Sequence, residues 1–216
     1  MSTDTSNLHL DLLDEQRKKL LQALLPYTQK HVLAGGTALA LQLNHRKSFD
    51  FDFFSTHEIP KELLRKLSQT IKVEKVINDS GDELTFFTKD NIKVTFLFYY
   101  FPKLFDLLTF NNLPKMYTVK EIAVHKAHTI SRRGEYRDYF DLYAILHGKH
   151  IKLVELIESA TKAFGNIFDS KLFLEQLVYF DDLLNVEIIP VEDQQIPSKE
   201  EIKKYFEELV SAYVGK

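Results

Sequence analysis

Two stretches decide the fold of this chain: His31-Val32-Leu33-Ala34-Gly35-Gly36-Thr37 and, shortly after it, Ser48-Phe49-Asp50-Phe51-Asp52-Phe53-Phe54. The apolar residues 31–34 are typical of a short strand, and two glycines permit the sharp turn that must follow it. We predict that Thr37 then caps a helix, whose unpaired N-terminal amides would face an anion such as a phosphate. The first stretch therefore predicts a phosphate-binding turn at Gly35, Gly36 and Thr37.

The second stretch alternates polar and aromatic residues, which is the period of a β-strand. Ser48, Asp50 and Asp52 are therefore expected on one face of that strand. Two carboxylates on one face repel each other unless a cation lies between them, and oxygen ligands that bridge to a triphosphate suit Mg²⁺. We predict a metal site at Asp50 and Asp52. A Gly-Gly turn or an acidic strand alone is more often structural, but together they indicate a nucleoside triphosphate site.

The composition is that of a globular protein. The chain has 216 residues, of which 44% are hydrophobic and 12% aromatic, so it can bury a sizeable core. Its net charge of −3 gives no overall reason to expect nucleic acid, and the absence of cysteine excludes disulfides, a thiol nucleophile and a cysteine zinc site. Residues 1–4 show no leader pattern, and no apolar run is long enough to cross a bilayer. We predict a cytoplasmic protein with no membrane partner.

Hydrophobic periodicity predicts an α+β lobe over residues 1–112 and a helical lobe over residues 113–216. In the first lobe we expect a helix over residues 14–30, a helix after Pro60, and antiparallel strands at residues 71–77, 83–88 and 92–99. In the second we expect helices at residues 118–132, 135–147, 151–164 and 170–180. A last helix should follow the capping box Ser198-Lys199-Glu200-Glu201, and residues 186–197 should be a linker.

The helical lobe carries a second group of charged residues. Lys126 precedes Arg137-Asp138-Tyr139-Phe140-Asp141, in which Arg137 and Asp141 stand one helical turn apart. An Arg and an Asp at that spacing can pair, and such pairs stabilise helices more often than they perform chemistry. The basic residues of this segment favour a polyanionic acceptor such as RNA, although a solvated helix face gives the same pattern. They are Lys115, Lys120, Lys126, Arg132, Arg133 and Arg137.

The order Gly-Gly-Thr, Ser-x-Asp-x-Asp, Lys and Arg-Asp-x-x-Asp resembles the AbiEii/AbiGii nucleotidyltransferase-like family, which includes abortive-infection toxins and the MenT toxins. The resemblance covers about residues 30–147. It implies a nucleotidyltransferase-like mixed sheet with flanking helices, similar to the catalytic domain of DNA polymerase beta, and a C-terminal helical lobe that completes the active-site cleft. It also implies transfer of a nucleoside monophosphate from an NTP to an acceptor, RNA such as tRNA or a protein. Such a chain would be the toxin of a toxin–antitoxin or phage-defence system, with a cognate antitoxin as a further partner.

The resemblance implies roles for single residues. Ser48 and Asp50 match the first catalytic motif, with Asp52 as the second metal-facing acid. Lys126 matches the lysine that contacts the triphosphate, and Asp141 matches the late catalytic aspartate. Nucleotidyl transfer needs a metal that gathers phosphate oxygens and positive charge that offsets the leaving pyrophosphate, so these residue types suit the reaction. Asp141 would either orient the lysine or position the acceptor hydroxyl.

One departure from the pattern bears on the metal count and on the alternatives. Polymerase-type nucleotidyltransferases usually carry a third carboxylate on a later strand, where this chain has Thr95. We therefore predict one Mg²⁺ and leave the second open. The absence of a carboxylate at Thr95 would also be explained if the chain were a non-catalytic module that binds a nucleotide or a partner. A magnesium-dependent phosphatase of the haloacid-dehalogenase type is less favoured, because its Asp-x-Asp follows a strongly apolar strand whereas Asp50 follows Arg46-Lys47-Ser48-Phe49.

Overall fold

The computed structural model of the chain describes residues 8–184 and 187–215. It divides into two compact units, Met1–Thr118 and Val119–Lys216. The sequence suggests a division near residue 112. The division lies later because a short strand at Met116–Tyr117 pairs with the strand at Val32–Ala34 and so belongs to the first unit.

The first unit is built on a seven-stranded mixed sheet. Its strands are β1 (Val32–Ala34), β2 (Phe51–Ser55), β3 (Val73–Asp79), β4 (Glu83–Thr88), β5 (Lys93–Phe98), β6 (Leu107–Leu108) and β7 (Met116–Tyr117). They lie in the order β3-β4-β5-β2-β1-β7-β6, with β2 parallel to β5 and β1 parallel to β7. Its helices are α1 (Glu15–Leu24), α2 (Gly35–Leu43) and α3 (Leu63–Leu67). The predicted mixed sheet with flanking helices is confirmed.

The alternation of side chains in β2 and β5 gives the sheet two unlike faces. Phe51, Phe53 and Phe96 are fully buried on one face, where the Phe53 and Phe96 rings stack with centroids 5.2 Å apart. On the other face Asp52 of β2 stands in register with Thr95 of β5. Because in-register residues of neighbouring strands point to the same side, the core face is aromatic, and the opposite face carries Asp52 and Thr95 together with the apolar pair Phe54 and Leu97. We call this opposite face the polar face.

The three strands predicted from residue 71 onward are found as β3, β4 and β5, and their pairing is antiparallel as expected. The predicted first strand is found as β1, and α1 begins after Asp14, whose side chain accepts a hydrogen bond from the Arg17 amide. The strands β6 and β7 were not predicted. Each has two residues, which is too short to show a period.

The second unit is helical. Its helices are α4 (Val119–Ile130), α5 (Tyr136–His147), α6 (Leu153–Phe164), α7 (Ser170–Val178) and α8 (Lys199–Val214). The predicted capping box is present, since Ser198 accepts from the Glu201 amide and Glu201 accepts from the Ser198 amide. Tyr139 fills the core, where its hydroxyl donates to the Gln176 carbonyl oxygen at 2.9 Å. Burial, with a smaller contribution from the charge of Asp138, raises the pKa of Tyr139 to about 12.

Two predictions fall partly or wholly on residues outside the described ranges. The linker predicted over residues 186–197 begins outside them, and residues 187–197 contain neither helix nor strand. Residues 1–4, on which the prediction of a non-secreted chain rests, also lie outside. Among the helices that the structure describes, none combines the length and apolar character that crossing a bilayer requires.

Candidate nucleotidyl-transfer site

The Gly-Gly turn lies directly against the acidic segment. Gly35 has a φ of 68°, and a Cβ atom added there would lie 2.6 Å from Oδ2 of Asp52. A Cβ atom on Gly36 would overlap Nη2 of Arg46 and lie 3.1 Å from Oγ of Ser48. Glycine is favoured at the first position by its positive φ, and at both positions an added Cβ would displace a side chain, Asp52 at the first and Arg46 at the second. The turn and the acidic segment form one local structure.

Thr37 holds this structure together rather than capping the helix. The helix α2 already begins at Gly35, with Ala34 in the N-cap position and no side-chain hydrogen bond to the cap. The prediction that Thr37 caps the helix is therefore wrong. Its side chain is 2% exposed, and its hydroxyl donates to the carbonyl oxygen of Asp50 and lies 3.0 Å from Oγ of Ser48. Thr37 thus fixes the backbone that precedes the acidic strand.

The acidic residues do not all lie on one strand. The strand β2 begins at Phe51, so Ser48 and Asp50 precede it and only Asp52 belongs to it. The prediction of three polar side chains on one strand face is wrong for the first two. The segment before β2 is fixed from its other side by Arg17, whose Nε donates to the Phe49 carbonyl oxygen at 3.2 Å and whose guanidinium lies 4.6 Å from the Phe49 ring centroid.

The residues of this region fit a magnesium ion that shares its ligands with a substrate. In the described part of the chain no group of three or more His, Cys, Asp or Glu side chains is placed to hold a metal. Asp50 and Asp52 offer carboxylate oxygens, and Mg²⁺ is commonly held by one or two carboxylates, water and substrate phosphates. Thr95, in register with Asp52, contributes a hydroxyl that lies 3.2 Å from the Thr85 hydroxyl. The donor set suits one such ion.

In the second unit Lys126 is enclosed by two carboxylates. Its Nζ lies 2.6 Å from Oδ1 of Asp138 and 2.6 Å from Oδ2 of Asp141. Lys126 is 8% exposed and both aspartates are 0% exposed. Burial raises the pKa of Asp138, but the charges of Lys126 and Arg133 and the hydrogen bond from Lys126 outweigh it, so this pKa lies below its ordinary value. Lys126 therefore joins two buried carboxylates, and Asp138 has Arg133 as a second positively charged partner.

The predicted pair of Arg137 and Asp141 does not form. Arg137 donates through Nε to Oε2 of Glu135 at 2.7 Å, while Asp141 faces Lys126 on the neighbouring helix. Other members of the basic segment are also paired. Lys120 lies 2.7 Å from Oε1 of Glu155, and Arg133 Nε donates to Oδ2 of Asp138 at 3.0 Å. The charge available to RNA from this segment is accordingly smaller than its sequence indicates.

Two residues near the predicted sites have contacts that reasoning from the sequence missed. Asp138 stands three residues before Asp141 and so shares its helix face, a spacing that could have identified it as a second partner for a buried lysine. In the sequence Arg46 was noted only as part of the run that precedes Asp50, with no role of its own. It is 7% exposed, with its guanidinium against Gly36, and the burial of a cation beside the glycine turn has no signal in the sequence.

A mixed sheet with a glycine turn packed on an acidic strand, followed by helices that carry a buried lysine, defines a nucleotidyltransferase fold. The family model described as "Nucleotidyl transferase AbiEii toxin, Type IV TA system" matches residues 19–105 and 83–212. The chain belongs to this family of nucleotidyltransferase toxins.

Three further proteins are similar to this chain. An uncharacterised protein of Aquifex aeolicus (strain VF5) is 33% identical over 207 residues, which cover 94% of this chain and 98% of that protein. MenT4, a nucleotidyltransferase toxin from Mycobacterium tuberculosis H37Rv, has a TM-score of 0.58 at 18% identity and covers 90% of this chain and 81% of its own. A candidate nucleotidyltransferase from H. pylori has a TM-score of 0.53 at 21% identity over 93% of this chain and 95% of its own. The two solved structures share the fold.

Proposed function

We propose that the protein transfers a nucleoside monophosphate from an NTP to the 3′ end of an RNA such as tRNA, as the toxin of a toxin–antitoxin pair. The observation that carries this proposal is the packing of the Gly35-Gly36 turn against Asp52 and Ser48. It brings the start of α2, whose N-cap residue Ala34 makes no side-chain hydrogen bond to the helix, next to a carboxylate and a hydroxyl. Such a combination recognises a phosphate chain together with its cation.

In this proposal the first unit binds the triphosphate. The amides of Gly35 and Gly36 and the hydroxyl of Ser48 receive phosphate oxygens, while Thr37 keeps the Asp50 backbone in place. Asp50 and Asp52 hold magnesium, which when bound neutralises phosphate oxygens and makes the α-phosphorus more electrophilic. The guanidinium of Arg46, buried beside the turn, adds positive charge on the same side of the motif.

The second unit supplies the cation for the leaving group. Lys126 offsets the charge that develops on pyrophosphate when the bond to the α-phosphorus breaks. Asp141 was expected either to orient this lysine or to position the acceptor hydroxyl, and its 2.6 Å contact with Lys126 Nζ supports the orienting role. Asp138 makes an equivalent contact and serves the same purpose. NTPs and tRNA are cytoplasmic, so we propose the cytoplasm as the place of action and an antitoxin as the partner that limits it.

The proposal is tested by incubating the protein with magnesium, total RNA and each NTP in turn, labelled at the α-phosphate. We expect label in RNA, and a loss of at least about 100-fold in Asp50→Asn and in Lys126→Met. The control Asp90→Asn removes an exposed carboxylate from the turn between β4 and β5 and should leave transfer unchanged. Label that enters protein and not RNA would refute the RNA acceptor, and free inorganic phosphate from simple monoesters would favour a phosphatase.

A second candidate function is a non-catalytic module that binds a nucleotide or a partner on the same fold. It is favoured by one observation, that the position in register with Asp52 on β5 holds Thr95 and not a third carboxylate. NTP binding without turnover by the wild-type chain would support it. The phosphatase has no comparable support, because Asp50 stands before a strand and not after one.

A further inference from the structure

A row of three side chains on the polar face of the sheet combines positive charge with an aromatic ring. Phe87 of β4 is in register with Lys93 of β5 on one side and with Lys75 of β3 on the other. Because in-register residues of adjacent strands point to the same side, these three side chains share one face. Lys75 is exposed, and Phe87 and Lys93 are half-buried. We call these three residues the basic row.

The basic row lies on the same face as the candidate metal-holding acid. Asp52 is in register with Thr95, which is in register with Thr85 of β4. Lys93 stands two residues before Thr95, and Phe87 stands two residues after Thr85. From ordinary strand spacings, the Cα atom of Lys93 is about 8 Å from that of Asp52 and the Cα atom of Phe87 about 12 Å. The row is therefore within a few nucleotides of the acids.

The charge of the row is not neutralised by its surroundings. Neither Lys75 nor Lys93 forms an ion pair with any residue that the structure describes, in contrast to Lys126 in the second unit. Glu83, the acid farther along the same face of β4, accepts a hydrogen bond from the Thr85 hydroxyl at 2.5 Å. The two lysines of the row are therefore not engaged in ion pairs within the described part of the chain.

Two more lysines extend the charge at this corner of the sheet. The amide of Lys89 donates to the carbonyl oxygen of Lys72 at 2.9 Å, which joins the end of β4 to the start of β3. Both side chains are exposed. A surface in which ammonium groups flank an accessible ring fits single-stranded nucleic acid, because phosphates bind the charges and a base can stack on the ring.

We propose that the basic row binds the acceptor strand as single-stranded RNA, with phosphates on Lys75 and Lys93 and a base against Phe87. This inference rests on the proposed function, because it assigns the acceptor of that reaction to a surface next to Asp52. It also assigns RNA recognition to the first unit, whereas the sequence pattern pointed to the basic segment of the second.

The test measures binding of a fluorescein-labelled single-stranded RNA oligonucleotide by anisotropy, without NTP, from about 50 to 200 mM salt. The double variant Lys75→Ala/Lys93→Ala removes two phosphate contacts. Its slope of log affinity against log salt concentration, which is negative, should therefore be about 1.4 smaller in magnitude than that of the wild type. Phe87→Leu keeps an apolar side chain but removes the ring, and should weaken binding by about 5- to 150-fold. Phe87→Tyr keeps the ring and should bind as the wild type does.

The matched control is Lys61→Ala, which removes an exposed lysine from the turn before α3 and should leave the slope unchanged. An unchanged slope in the double variant, or equal affinities of Phe87→Leu and wild type at equal urea midpoints, would overturn the inference. So would a wild-type protein that binds no RNA. If RNA binding changes as expected but no nucleotide is transferred, the basic row stands and the proposed reaction fails. If nucleotide is transferred to RNA but the variants bind RNA as the wild type does, the reaction stands and the basic row fails.

Discussion

Alanine substitutions at four glycines separate backbone strain from side-chain contact at the candidate site. Gly35 has both a positive φ and a neighbouring carboxylate, and Gly165 has a φ of +55° with no atom within 4 Å of an added Cβ. Gly36 has the contact without the positive φ, and Gly81 has neither. The four positions form a matched set within one chain.

The expected losses of stability follow from these environments. An L-residue held in the left-handed region costs about 1–2 kcal/mol, which is the whole effect expected for Gly165→Ala. Crowding a packed site costs about 1–3 kcal/mol, which is the effect expected for Gly36→Ala against Arg46 and Ser48. Gly35→Ala has both causes and should cost about 2–5 kcal/mol. Gly81→Ala should be neutral or stabilise by up to about 1 kcal/mol.

Activity adds a second measurement to the same set. To accept a Cβ atom on Gly35, the Asp52 carboxylate must withdraw from a separation of 2.6 Å to ordinary contact. A shift of about 1 Å in a catalytic group costs about 100-fold in rate, so Gly35→Ala should lose about that much nucleotide transfer. Gly165→Ala should lose stability and keep its activity.

The assay is hydrogen exchange followed by mass spectrometry, because peptides from α2 and β2 report the first unit and peptides from α6 report the second separately. Transfer of α-labelled nucleotide is measured on the same samples. If Gly35→Ala opens no more readily than Gly165→Ala and transfers at the wild-type rate, then the contact between the turn and Asp52 does not matter, and the reasoning is refuted.

Three further predictions concern buried charge, pH and the metal. Lys126→Met removes the cation that two buried carboxylates share, and only Asp138 keeps a second one, Arg133, so it should lower the free energy of unfolding by about 3–5 kcal/mol in urea. Arg137→Ala removes a partly exposed pair and should cost under about 1 kcal/mol, and equal losses in the two variants would contradict this. Burial, with smaller contributions from the neighbouring positive charges, lowers the pKa of His128 from 6.5 to about 4. Between these pH values the unfolded chain binds more protons than the folded one. The free energy of unfolding should therefore fall with falling pH, by up to about 3 kcal/mol. Urea unfolding of His128→Leu should show a flatter profile between pH 6.5 and about 4, and an unchanged profile would assign the acid sensitivity elsewhere. Thr95→Asp places a second carboxylate in register with Asp52, so repulsion between the two should lower Tm without magnesium. Added magnesium should then raise the Tm of this variant by more than it raises the Tm of the wild type. An equal increase in both proteins would count against a metal at this position.

The parts of the fold that the sequence predicted are those governed by local rules. The strand before the glycine turn, the three antiparallel strands and the capping box at Ser198 each follow from a period or a fixed spacing. The expectation of a single acidic strand failed because the Thr37 hydroxyl, distant in sequence, takes the Asp50 carbonyl oxygen and the segment before Phe51 does not enter the ladder. A hydrogen bond between two elements that are separated in sequence cannot be predicted from hydrophobic periodicity.

The candidate site shows the same division. The closeness of the glycine turn to Asp52 was expected from the motif, and the structure adds which side chains a Cβ atom on each glycine would meet. Helical spacing allowed Asp141 to pair with Arg137, and the family pattern allowed it to orient Lys126; packing of α5 on α4 brings this carboxylate to Lys126. Spacing identifies the residues that can meet on one helix, whereas packing between helices decides which of them do.

The hydrogen bond between α2 and β7 has a consequence for the order in which parts of the protein can fold during synthesis. Gln42, in the last turn of the helix that begins at the glycine turn, donates to the carbonyl oxygen of Tyr117, 75 positions later in the chain. At a translation rate of about 5–20 residues per second, the ribosome needs about 4–15 s to make that intervening stretch. A nascent chain that already contains every residue of the glycine turn and the acidic segment still lacks the strand that anchors their helix. The cell therefore has several seconds in which every residue of the glycine turn and the acidic segment has been made but this hydrogen bond cannot yet form.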